Sequence, residues 1–241
     1  MTLQDKLDAF TVSLIDSGAI PKNIIDALQH ETAELVASKK AERALKAGQQ
    51  APSFSLKDSE GKVVDSPKLL AAGPLVVTFY RGVWCPYCNI ELKALEEARS
   101  GIEARGASLV AISMQNAVNS RRSARENGLG FPILVDHHGV VADEFGLRFT
   151  LTPAVVKIYR DILRNDLEAF NDDRSWSLPM PARFVIAQDG VVAYAEVNPD
   201  YLRRPDPSEL IPVLDQLART RAARSPSGRV FTNLELQPER Q

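Results

Sequence analysis

Residues 76–88 read Val76-Val77-Thr78-Phe79-Tyr80-Arg81-Gly82-Val83-Trp84-Cys85-Pro86-Tyr87-Cys88 and hold both cysteines of the 241-residue chain. The β-branched and aromatic run that opens the stretch suits a buried strand, and Gly82 supplies the turn after it. Proline is favoured at the first helical position, where its missing N–H costs no hydrogen bond. The stretch therefore predicts a strand over 75–80, a turn, and a helix running from about 86 to 97. Cys85 and Cys88 fall one helical turn apart at the start of that helix. Free backbone N–H groups and the helix dipole favour a thiolate in such a place. A loop this short constrains little of a fold, so the pair reads as thiol redox chemistry rather than as a structural link.

Outward from this stretch, strands and helices alternate. Residues 108–113 form an apolar β run, a polar helix follows through Arg125, and 132–135 make a short strand stopped by Asp136 and Gly139. Helix is expected around 141–145 and over 153–171, where Val156, Tyr159, Leu163 and Leu167 recur every three or four residues. Residues 182–187 and 191–197 flank a Gln188-Asp189-Gly190 turn as a hairpin, and a last helix covers about 207–222. Upstream, 51–56 and 62–64 read as two short strands around a turn. Such alternation implies an α/β sheet covered on both faces.

Residues 1–47 have a different character. Leu3, Leu7, Phe10 and Leu14, then Ile24, Ile25, Leu28 and Leu35, recur at helical spacing, with Gly18 and Pro21 between them. Two amphipathic helices are expected there, as an N-terminal extension that packs on the domain or joins a homodimer. The main domain is placed at 48–222. A Ser/Pro/Gly-containing tail, expected to be mobile, is placed at 223–241.

The charge balance excludes several function classes. Lys and Arg number 29 against 31 Asp and Glu, a net charge of -2, which gives no reason to expect nucleic acid or an anionic membrane as a partner. The N-terminus lacks a basic segment followed by an apolar one, and no apolar run has membrane-spanning length, so a cytoplasmic location is the expectation. His137 and His138 with the two cysteines would make a four-ligand zinc set. Their position after Asp136 in a turn-like stretch argues against it, and neither a metal nor another cofactor is expected.

The order strand, turn, Trp-Cys-Pro-Tyr-Cys, helix, further βα units, and a proline before a hairpin resembles the thioredoxin fold. Within that superfamily the chain is similar to the peroxiredoxins of the AhpC/TSA family. The similarity is carried by Ala51-Pro52-Ser53-Phe54, by Phe79-Tyr80, by Phe131-Pro132-Ile133-Leu134-Val135-Asp136 with Phe145-Gly146-Leu147, and by Phe184-Val185-Ile186 with Asp189-Gly190. It covers roughly residues 48 to 220. It implies a thioredoxin-like fold, a central mixed sheet flanked by helices, with the N-terminal helices outside it.

Counting eight residues from Tyr80, as the family pattern does, lands on Cys88 and implies that Cys88 is the attacking thiolate and Cys85 the resolving one. In thioredoxins the first cysteine of the pair attacks, and the roles exchange. The family's threonine position holds Cys85, and its arginine before the late hairpin is replaced by Pro181, where thioredoxin-like reductases carry a cis-proline. Arg81 and Arg183 are the cations at hand to replace that arginine, and Trp84 is placed to shield the thiols. The resemblance implies a peroxidase acting on hydrogen peroxide or organic hydroperoxides, recycled by thioredoxin or a similar dithiol donor. Two alternatives stay open. One is a thioredoxin- or glutaredoxin-like protein-disulfide reductase, since Cys-Pro-Tyr-Cys also matches glutaredoxins; the other is a non-enzymatic redox-sensing interaction protein.

Overall fold

The computed structural model describes residues 1–224. Two helices lead, α1 (Leu3–Asp16) and α2 (Lys22–Ala37), followed by a 3-10 turn at Lys40–Arg43. Thr2 starts α1 by accepting the Asp5 N–H, while the Asp5 carboxylate accepts the Thr2 N–H at 2.7 Å. Two amides that a helix start would otherwise leave without partners are thereby met. Next come β1 (Ser55–Asp58), β2 (Val63–Asp65), α3 (Ser66–Ala72), β3 (Leu75–Phe79), α4 (Pro86–Glu103), β4 (Ser108–Ser113), α5 (Ala117–Asn127) and β5 (Ile133–Val135). The second half holds α6 (Val140–Glu144), β6 (Arg148–Thr150), α7 (Pro153–Lys157), α8 (Leu167–Asn171), β7 (Ser177–Pro179), β8 (Ala182–Ile186), β9 (Val192–Val197) and α9 (Leu210–Arg224).

Seven strands form one mixed sheet in the order β2-β1-β5-β4-β3-β8-β9. β3, β4 and β5 are parallel, and β8 lies antiparallel on the other side of β3. All of β3 is buried, yet its residues divide between two cores with the strand's period of two. Leu75, Val77 and Phe79 pack with Phe54, Phe145 and Phe184 on one face. Val76, with Tyr80 just beyond the strand, packs with Leu92, Leu95 and Leu109 on the other. Helices cover both faces, as strand–helix alternation requires.

The two leading helices behave differently. Leu3 and Leu7 of α1 are buried in the same core as Leu92 of α4 and Leu210 of α9. α2 has no buried residue and rests on α7 and the 3-10 turn. A close approach anchors the link between this extension and the sheet. Gly146, at φ +70, lies against the backbone of Arg43 and Ala44, and a Cβ there would meet the Arg43 carbonyl oxygen at 2.6 Å.

Several elements differ from the sequence reading. Residues 153–171 are not one helix: α7 widens into an i→i+5 turn over Ile158–Ile162, the chain turns at Arg164 (φ +57), and α8 starts afresh with Asp166 as its cap. A spacing of three or four residues is met by both halves, so it could not reveal the break. α3 and the two-stranded pairing of β6 with β7 were not expected, being seven and three residues long. α4 runs six residues beyond its expected end, to Glu103. From residue 225 onward the expected tail lies outside the described residues. Among the described residues no helix is long and apolar enough to cross a membrane.

Candidate active site

The end of β3 delivers residues 80–84 to the start of α4. The Tyr80 N–H continues the ladder to the Ile112 carbonyl at 3.1 Å. Gln115, just past β4, donates to the Tyr80 hydroxyl at 2.6 Å and accepts the Val83 N–H at 2.9 Å, so one side chain holds both ends of the loop. Gly82 has φ +150, and a Cβ there would sit 2.4 Å from Nε1 of Trp84. Only glycine lets the indole lie across this turn.

Cys85 is the residue that caps α4, Pro86 is its first helical residue, and Cys88 follows within the first turn. The two cysteines are free thiols, lie 3.1 Å apart, and are 2% and 0% exposed. Their acidities diverge. Burial opposes ionisation of Cys85, but the Cys88 thiol donates a hydrogen bond to it and Arg81 and Arg204 add positive charge, leaving its pKa lowered to about 6. Burial, the same hydrogen bond and the Cys85 charge hold the Cys88 thiol well above its ordinary value. Near neutral pH the pair therefore favours the thiolate at Cys85 and the thiol at Cys88.

Two buried arginines flank the sulfurs. Arg81 is 4% exposed, donates to the Tyr159 hydroxyl, and has its guanidinium carbon 4.2, 5.0 and 5.8 Å from the ring centres of Tyr201, Trp84 and Tyr159. Such an aromatic cage stabilises a desolvated cation by about 0.5–2 kcal/mol per contact. Its Nε has no acceptor, nor has Nε1 of Trp84. Arg204 places Nη2 3.8 Å from the Cys88 sulfur. Its Nε donates to Glu91 at 2.6 Å, and the other Glu91 oxygen accepts Nη2 of Arg183 at 2.8 Å. Cys88 and Glu91 share a face of α4 because three residues is nearly one turn. The extension secures this loop: Gln4 of α1 accepts the Arg204 N–H at 3.1 Å and donates to the Leu202 carbonyl at 3.1 Å.

A cavity of about 280 Å³ lies between the extension and Cys85. Leu14 of α1, Ile25 and Leu28 of α2, and Arg81, Trp84 and Tyr159 are among its walls. A second space of about 210 Å³ adjoins it, sharing Leu28, Arg81, Tyr159 and Tyr201. Cys85, not Cys88, faces the first cavity.

Of the residues the sequence singled out, Cys85, Cys88, Trp84 and Arg81 come together. Arg183 is fully buried on β8 but binds Glu91 and the Pro205 carbonyl, so it reaches the sulfurs only through Glu91 and Arg204. Pro181 lines the second cavity with Arg81, and no peptide bond among the described residues is cis. Trp176 donates to Glu168 at 2.8 Å and packs in a side cluster with Tyr159. Glu91, Arg204, Tyr159 and Tyr201 were missed. Glu91 was findable from its spacing after Cys88; Arg204 sits on a loop, where no periodicity marks a residue's direction.

A mixed sheet whose central strand feeds a two-cysteine turn at a helix N-terminus defines a dithiol protein of the thioredoxin-like class. Residues 47–195 match the AhpC/TSA family, and the chain belongs to that family. Thiol-disulfide oxidoreductase ResA of Halalkalibacterium halodurans is 29% identical over 52% of this chain and 70% of its own length. Peroxiredoxin Bcp of Escherichia coli is 30% identical over 43% of this chain, and chloroplastic peroxiredoxin Q of Populus jackii 31% over 42%. The matches span 65% and 46% of those two peroxiredoxins. The crystal structure of peroxidoxin BcpB from Mycobacterium tuberculosis shares the fold, with a TM-score of 0.54 and 23% identity over 75% of this chain and 99% of that one.

Proposed function

We propose that the chain is a thiol-dependent peroxidase of the cytoplasm that cycles between a Cys85/Cys88 dithiol and its disulfide. The carrying observation is the asymmetry of the pair: Cys85 is the low-pKa sulfur and the one facing the cavity. The family register pointed to Cys88 as the attacking sulfur; the electrostatics favour the exchanged roles. The Cys85 thiolate attacks the terminal oxygen of ROOH, the O–O bond breaks, and the departing RO⁻ takes a proton to leave as ROH. Arg81 is the cation placed to offset the charge on that oxygen. Cys88 then attacks the sulfenic sulfur of Cys85, its proton leaves with the hydroxyl as water, and the disulfide forms. A thioredoxin-like dithiol returns both sulfurs to the reduced state.

Mass spectrometry after brief peroxide exposure tests the assignment. Cys88→Ser should retain sulfenic acid on Cys85, and Cys85→Ser should react no faster than a free thiol. Slow oxidation of the unaltered protein, at the rate of free cysteine, removes the peroxidase reading.

A low-pKa first cysteine in Cys-Pro-Tyr-Cys, with the similarity to ResA, favours one second reading: reduction of protein disulfides. Acceleration of insulin reduction by dithiothreitol would support it, and a rate equal to the buffer control would dismiss it.

A further inference from the structure

Arg81 is a buried cation that pairs with no carboxylate among the described residues. In the reduced protein the Cys85 thiolate is its counter-charge. Oxidation joins the two sulfurs with loss of two electrons and the Cys88 proton, the electrons going to a peroxide or disulfide oxidant. The negative charge then disappears while Arg81 stays buried. An uncompensated buried charge costs several kcal/mol, so the oxidised site favours a replacement anion.

The space beside Arg81 indicates what kind of anion. Leu14, Ile20, Ile25, Leu28 and Leu163 line the 280 Å³ cavity, and Arg81 is its one charged wall residue. A dry apolar cavity of roughly 150 Å³ already admits benzene, so the 280 Å³ cavity has room for a longer apolar chain, while the adjoining 210 Å³ space past Leu28 has the charged Glu31, Glu34 and Lys40 in its wall. Rings cover the guanidinium and its Nη2 already donates to the Tyr159 hydroxyl, which leaves the unpartnered Nε–H for an acceptor. A carboxylate oxygen accepts from such a donor in a charge-assisted hydrogen bond, roughly twice as strong as a neutral one. Arg204, the other cation near the sulfurs, is paired with Glu91 and does not line the cavity, so the single free charge of Arg81 suits a monoanion better than a phosphate dianion.

We propose that the cavity beneath α1 and α2 binds an apolar carboxylate, of the fatty-acid class, whose carboxylate replaces the Cys85 thiolate beside Arg81 once the disulfide has formed. The site goes beyond the peroxidase reading, since it needs the disulfide but not a particular oxidant. Binding and redox state are linked. A ligand that prefers the oxidised protein must make the disulfide harder to reduce by the same factor.

The test uses the full chain, oxidised with diamide or reduced with dithiothreitol, titrated with decanoate and followed by calorimetry and by tryptophan fluorescence, to which Trp84 and Trp176 contribute. Decanoate should bind the oxidised protein at least about tenfold more tightly than the reduced, about 1.4 kcal/mol. Saturating decanoate should then lower the reduction potential by about 30 mV. Decanol, with the same chain and no charge, should bind both states alike and more weakly than decanoate binds the oxidised one. Arg81→Met should abolish the preference for decanoate. Because a loss of folding in that variant would give the same result, the decanoate–decanol comparison on the unaltered protein decides the matter. Equal decanoate affinity in both states, or decanol binding the oxidised protein as tightly as decanoate, overturns the proposal. Diamide forms the disulfide without peroxide, so a slow peroxide reaction would remove the peroxidase reading and leave this one standing.

Discussion

The Cys88 thiol donates its hydrogen to Cys85, 3.1 Å away, and that one contact divides the labour between two otherwise similar sulfurs. Thiolate fraction then sets the pH profile. Above a pKa of about 6 Cys85 is ionised, and below it the thiolate falls about tenfold per pH unit. Iodoacetamide alkylation of Cys85 should be half-maximal near pH 6. In Cys88→Ala, which deletes the donor, the midpoint should move up towards the ordinary thiol range. A midpoint unchanged by that substitution would mean the hydrogen bond does not govern the acidity.

Arg81 is the larger of the two cationic contributions to Cys85. Its removal should raise the Cys85 pKa by roughly 1–2 units, the usual effect of losing one close opposite charge. Arg81→Met should therefore slow alkylation about tenfold at pH 6 and recover most of the rate at pH 9, where Cys85 is ionised with or without the arginine. Arg81→Lys keeps the charge but not the planar stack among Trp84, Tyr159 and Tyr201, and should fall between the two. A uniform loss at both pH values would indicate disruption of the loop instead.

Where the sequence was legible, one local rule and one tertiary demand agreed. β4 lies at 108–113 as read, because its middle residues, Leu109 to Ile112, are buried and apolar without interruption. Pro86 opens α4, because proline at a first helical position loses nothing. The missed residues reach the site by routes that local rules do not describe. Tyr159 arrives through a widened helical turn, Tyr201 and Arg204 through a loop held by Gln4 from the far end of the chain. Arg183 shows the limit of face arguments. It lies two residues from Pro181, a spacing that favours the same face of a strand, but its partner Glu91 decides that it supports Arg204 rather than the sulfurs.

Glu91 neutralises two buried arginines at once and is itself 2% exposed. Glu91→Gln keeps the shape and removes the charge, leaving Arg183 and Arg204 as unpaired buried cations. Breaking a buried pair in this way costs about 3–5 kcal/mol, and the midpoint of urea unfolding should fall accordingly. Replacing the whole group, Glu91→Leu with Arg183→Met and Arg204→Met, should recover part of that loss, since an apolar trio buries no charge. A single variant as stable as the unaltered protein would show that water reaches the cluster.

The N-terminal extension contains two kinds of helix, and stability measurements should separate them. Leu7 of α1 is fully buried in the core with Leu92 and Leu210, so Leu7→Ala opens a cavity with little room for collapse. A loss of about 2–5 kcal/mol is expected. Val36 of α2 is 49% exposed and belongs to a helix with no buried residue. Val36→Ala should change stability by no more than about 0.5 kcal/mol, the usual range for a surface site. Leu7→Ala should also loosen the Gln4–Arg204 tie, because Gln4 and Leu7 lie one turn apart near the start of α1, and the alkylation rate of Cys85 should shift with it. If Leu7→Ala unfolds at the same urea concentration as the unaltered chain, α1 is an appendage rather than part of the core.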